Sequence, residues 1–69
     1  MTQAEAKKQE ILAAIGQTRS LEEPATIFRI EMQHGRCTML CPGGVNIEKA
    51  VASALSRFGE ERVLSIQPQ

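Results

Sequence analysis

The sequence contains no Trp and no Tyr, and its aromatic content is limited to Phe28 and Phe58. The flat rings on which single-stranded bases usually stack are therefore missing. Net charge is also missing: eight Lys and Arg balance eight Asp and Glu. A general polyanion binder would carry a basic excess. No apolar run approaches the ~20 residues that a membrane-spanning helix needs. The opening "MTQAEAKKQE" has no apolar core, so a secretory signal is not expected. Two cysteines without such a signal fit a reducing cytoplasm, which is the expected location. Internal repeats and low-complexity tracts are absent.

What is present is an ordinary globular composition, 42% hydrophobic and 23% charged over 69 residues. That length holds one domain, residues 1–69, with a thin core. Residues 1–16 read as a helix. Thr2 and Glu5 have capping-box spacing, Ile11, Leu12 and Ile15 share a face, and Gly16 suits the position after the last turn. Lys7 and Lys8 interrupt the stripe, so docking is expected to begin near Ile11. Residues 17–25 form a connector. Ser20 and Glu23 repeat the capping spacing, but Pro24 allows a single turn at most.

Residues 26–41 alternate as a β-hairpin. Phe28, Ile30 and Met32 lie on one side of the first strand, and Cys37, Met39 and Cys41 on one side of the second. A two-residue reversal at His34 and Gly35 pairs Gln33 with Arg36, Met32 with Cys37, Ile30 with Met39, and Phe28 with Cys41. All six apolar side chains then share a face, and a slip of one residue would break the match. Pro42, Gly43 and Gly44 are expected to end the second strand. Residues 45–58 read as a second helix. Asn46 is its cap, Val45 and Ala50 are placed as a staple, and Ile47, Ala50, Val51, Ala54, Leu55 and Phe58 form one stripe before Gly59. Residues 62–67 are a third strand with Leu64 and Ile66 inward.

The order α-β-β-α-β predicts an α+β two-layer sandwich. Three antiparallel strands in the order 2-1-3 would carry both helices on one face. The opposite face would hold Arg29, Glu31, Gln33, Arg36, Thr38 and Leu40, open to water or a partner. These six are the candidate partner-binding residues. Leu40 and Ile27 together could seed a contact patch, unless the connector covers Ile27.

Few residues invite chemistry. Cys37 and Cys41 lie near His34, but four residues along a strand separate their Cα atoms by roughly 13 Å, too far for a disulfide. A zinc site wants four ligands in a compact tetrahedron. The two thiols are therefore expected to be buried structural groups, with no metal and no cofactor. His34 has no evident nucleophile or orienting carboxylate beside it. Gly43 and Gly44 precede a helix but lack the spacing of a phosphate loop. No catalytic residue is expected, and the chain is read as not an enzyme. Arg29, Arg36, Arg57 and Arg62 support a second reading, a small nucleic-acid-binding regulator. Glu31 interrupts that basic strip, and cross-strand ion pairing on a solvated face is the plainer account of it.

Residues 26–67 combine a hairpin, a Gly-containing break, an Ala-rich helix ending "RFG" and a short "RVLSI" strand. In size and element order they resemble the ββαβ module of small phage-encoded accessory proteins of the anti-CRISPR type. The resemblance implies a non-catalytic phage or mobile-element protein that inhibits a host defence complex by stoichiometric binding. A larger host protein complex would then be the partner. It carries over no functional residue. Homodimerisation is a further expectation, from the small size and the free strand edges.

Overall fold

The computed structural model of the chain describes residues 3–69. The expected capping box at Thr2 and Glu5 involves Thr2, which lies outside the described residues. Five elements follow in the order α1 (Gln3–Gly16), β1 (Pro24–Met32), β2 (Gly35–Asn46), α2 (Ile47–Phe58) and β3 (Val63–Pro68). The strands form one antiparallel sheet in the order β2-β1-β3. The fold is thus the α+β arrangement that the sequence order implies, with β1 between two edge strands.

Helix α1 is rich in Ala, Lys, Glu and Gln, which lose little side-chain freedom in a helix. It buries only Ile11, Leu12 and Ile15, so its first two turns are largely solvated. Its end differs from the expectation at Gly16. That glycine is the last helical residue and is not among the glycines with positive φ. The Ile15 carbonyl instead accepts from the Thr18 N–H (3.0 Å), the Arg19 N–H (3.2 Å) and the Thr18 hydroxyl (3.0 Å). With those donors closing the turn, a left-handed residue is unnecessary. In the connector, the Ser20 hydroxyl accepts from the Glu22 N–H at 3.2 Å, making the single turn that Pro24 permits.

Helix α2 spans Ile47–Phe58 rather than 45–58, because Val45 and Asn46 still pair with Ala25 and Pro24 in the sheet, but its cap and its stop are the expected residues. The Asn46 side-chain oxygen accepts from the Lys49 N–H at 2.8 Å, and Gly59, at φ +92°, closes the other end through its N–H to the Leu55 carbonyl at 2.9 Å. Ile47, Ala50, Val51, Ala54 and Leu55 are buried, and Phe58 packs partly against the same core. Helix α2 rests on β2 and β3, and α1 rests on α2 and β3. Lys8 and Glu48 join the helices by an ion pair of 3.5 Å. It is partly exposed and contributes at most about 1 kcal/mol.

The hairpin register differs from the expected one by two residues. Met32 pairs with Gly35, Glu31 with Arg36, Ile30 with Cys37, Arg29 with Thr38, and Phe28 with Met39. The reversal therefore falls at Gln33 and His34, and Gln33 does not pair with Arg36. No non-glycine residue among those described has positive φ. A primed turn at His34 and Gly35 would force His34 into the left-handed region, at a cost of about 1–2 kcal/mol. Moving the reversal back by one position removes that strain, and Gly35 takes the unusual φ of +151° as the first residue of β2.

Two further corrections concern strand ends. Strand β2 does not stop at Cys41. Ile27 pairs with Leu40 and Ala25 with Val45, so one residue of β1, Thr26, faces four of β2. The segment Cys41–Gly44 bulges out of the ladder and rejoins it. Gly43 (φ +83°) and Gly44 (φ +73°) supply backbone that other residues adopt at a cost. Strand β3 also bulges. Glu31 pairs with Ser65 but Met32 pairs with Val63, leaving Leu64 extra. Val63 and Ile66 are therefore the fully buried pair, and Leu64 is 52% exposed rather than inward.

The core lies between the sheet and the helices. Phe28, Ile30, Val63 and Ile66 from the sheet meet Ile15, Ile47 and Val51 from the helices, all essentially without solvent contact. Among the described residues, every buried side chain is apolar. By area bookkeeping, each large one stabilises the fold by about 1.5–3 kcal/mol relative to exposure.

Candidate interaction surface

The sheet face away from the helices is built in rows across the strands. Leu40 stands beside Ile27. Thr38, Arg29 and Gln67 form the next row, and Arg36, Glu31 and Ser65 the one after. Period-two alternation sends these side chains outward because their neighbours Phe28, Ile30 and Met39 are drawn into the core. Five of the six candidate residues thus share one surface: Arg29, Glu31, Arg36, Thr38 and Leu40. Gln33 departs from it into the turn, where its N–H donates to the Arg62 carbonyl at 3.3 Å.

The polar groups on this face are not tied to one another. Glu31 faces Arg36 directly across the ladder. Yet none of Arg29, Glu31, Arg36 or Thr38 makes a side-chain hydrogen bond or an ion pair within the described residues. The ion-pairing explanation of the strip is therefore not what the structure shows. Leu40 is 63% exposed and Ile27 38%, and they are direct cross-strand neighbours. The connector does not cover Ile27. The face thus joins an apolar pair to two unpaired guanidinium groups and a carboxylate.

The four arginines do not form one strip. Arg29 and Arg36 lie on the open face, and Arg57 is exposed on α2, which packs on the other side of the sheet. Arg62 lines a cleft of ≈ 430 Å³ with Met32, Gln33 and His34 at the hairpin end. His34 is an exposed turn residue. A second cleft, of ≈ 310 Å³, lies between the helices and is lined by Ala4, Glu5, Lys8, Ala52, Leu55, Ser56, Gly59 and Glu60.

Cys37 and Cys41 are free thiols, each half-buried at the margin of the core rather than buried within it as the alternation implied. Cys37 is the cross-strand neighbour of buried Ile30. Among the described residues, no three His, Cys, Asp or Glu side chains gather within reach of one metal ion. Gly43 and Gly44 serve the β2 bulge, and the Asn46 side chain already takes up the Lys49 N–H at the start of α2. No helix among the described residues is long and apolar enough to cross a membrane.

Two features of the surface escaped the sequence pattern. One is the exposure of Leu64, hidden by a bulge that no residue type announces. The other is the contrast between the two sheet edges, which depends on where each strand leaves its ladder. Comparison of the chain with protein-family models, curated proteins and solved structures returns no match.

Proposed function

We propose that the chain is a non-catalytic protein-interaction module that acts by occupying a surface of a larger protein complex. The observation that carries this reading is the open sheet face, where the neighbours Ile27 and Leu40 adjoin the unpaired side chains of Arg29, Glu31 and Arg36. An exposed apolar pair rimmed by polar groups that are free to pair with another protein is the surface chemistry of a protein contact. The narrower reading is a cytoplasmic phage or mobile-element protein that inhibits a host defence complex stoichiometrically. It rests on the resemblance of residues 26–67 in size and element order.

The test is capture from bacterial lysate with the tagged chain. One large assembly should be recovered at fixed stoichiometry, and Ile27→Ser with Leu40→Ser should abolish recovery while leaving the fold intact by circular dichroism. Recovery unchanged by the double substitution would refute the role of this face. The unpaired Arg29 and Arg36 support a second reading, nucleic-acid binding. It requires salt-dependent affinity for random-sequence nucleic acid that is lost on Arg29→Ala with Arg36→Ala.

A further inference from the structure

The two edges of the sheet are not equivalent. Strand β3 is six residues long, bulges at Leu64, ends in Pro68 and is flanked by α1. Short length, a bulge and proline are the devices by which sheets discourage further pairing. Strand β2 is broken only at its far end, where Pro42, Gly43 and Gly44 bulge away. From Gly35 to Leu40 its ladder to β1 is unbroken, and its other side makes no backbone hydrogen bond among the described residues. Both faces of that stretch carry unfinished apolar cover. Leu40 is exposed on the open face, and Cys37 and Cys41 are half-buried on the helix side.

We propose that β2, between Gly35 and Cys41, receives an extended segment of the partner protein as a fourth strand. The segment would bear a carboxylate opposite Arg36 and an apolar side chain opposite Leu40. This rests on the protein-interaction reading above and names the mode and chemistry of that contact. Main-chain hydrogen bonds would supply affinity and alternate side chains specificity. The charge follows from Arg36, which is exposed and makes no ion pair among the described residues. The spacing follows from the pleat: Arg36, Thr38 and Leu40 project to one side, so the partner's acidic and apolar residues lie four apart. A single strand fits better than a second copy of the chain. Two helices cover a width of about 20 Å, whereas three strands span about 14 Å. Both helices pack on one face of the sheet, so a second copy brought edge to edge would drive its wider helix layer against this one.

The test uses nine-residue fluorescein-labelled peptides of alternating Thr and Val carrying Glu and Leu four positions apart, with Lys replacing Glu in a control. The Glu peptide should bind saturably by anisotropy, and amide exchange should slow within Gly35–Cys41. Arg36→Glu should weaken it roughly tenfold and transfer preference to the Lys peptide. No saturable binding up to millimolar peptide overturns the proposal. So does binding that leaves the β2 amides unprotected. Protection of β2 that instead rises with protein concentration alone, with a dimer in sedimentation, assigns the edge to a second copy and overturns it equally. Fixed-stoichiometry capture from lysate without peptide binding would leave the interaction module standing and remove only the edge. Peptide binding without capture would do the reverse.

Discussion

Val63 and Leu64 are adjacent, both aliphatic and both in β3, and the bulge decides which of the two is buried. Val63 is 0% exposed and packs in the core, whereas Leu64 is 52% exposed. Val63→Ala removes two methyl groups from a filled interior. At about 0.8 kcal/mol each the transfer loss is about 1.6 kcal/mol, and incomplete collapse around the gap brings the cost to about 2–3 kcal/mol. Leu64→Ala removes three carbons that are about half in water already, so its cost is about 1 kcal/mol with no cavity to add. A domain of this size has a total stability of roughly 3–10 kcal/mol. Val63→Ala is therefore a large fraction of it, and should lower Tm by about 10–20 °C against about 4–8 °C for Leu64→Ala. Urea unfolding followed by circular dichroism, with equal m-values, gives the comparison directly. If Leu64→Ala is the more destabilising of the two, Leu64 faces the core, and the bulge opposite Glu31 and Met32 is wrong.

Asn46→Ala should cost about 1 kcal/mol through loss of the bond to the Lys49 N–H, and Asn46→Asp should retain most of it; chemical denaturation reads both. Gly43→Ala should cost about 1 kcal/mol although open space surrounds the site, because φ is +83°, and Gly43→Asn should cost less. Equal costs for Ala and Asn would remove the backbone explanation. Leu40→Ser should cost no more than about 1 kcal/mol while weakening partner capture, since the side chain is mostly in water. A double-mutant cycle on Lys8 and Glu48 should give a coupling below about 1 kcal/mol that vanishes in 1 M salt.

The fold was legible wherever a period or a terminator carried it. The stripe from Ile47 to Phe58, the Asn46 cap and the Gly59 stop are local features, and α2 follows them residue for residue. The alternation of Phe28 and Ile30 with Arg29 and Glu31 likewise set which side faces the helices. Register and strand length were not legible, because they are settled between elements. A slip of one residue would exchange the faces of β2, and the pattern forbids it. A slip of two keeps every face unchanged. Backbone energy at the turn then decides, because the observed register keeps every non-glycine residue out of the left-handed region. The alternation does not contain it.

That distinction separates the two parts of the proposed contact. Membership of the open face survives a two-residue slip, so Arg29, Glu31, Arg36, Thr38 and Leu40 could be assembled from the sequence without knowing the true pairing. The edge does not survive it. Whether β2 stays flat and unpaired from Gly35 to Leu40 depends on Leu40 finding Ile27, and on the four residues after it having one β1 residue to face. Had Phe28 paired with Cys41, the regular ladder would have run one residue further toward Pro42. The turn end would have begun at Arg36, and the accessible edge would have shifted along the chain. A partner strand reads the backbone edge in a fixed register with Arg36 and Leu40, so the bulge at Cys41–Gly44 is part of the recognition surface. Deleting Pro42 and Gly43 together should shorten that bulge without touching the face. If peptide binding survives the deletion with β2 protection displaced toward Asn46, the bulge sets where the edge ends. If protection stays within Gly35–Cys41, the bulge has no part in defining the docking strand.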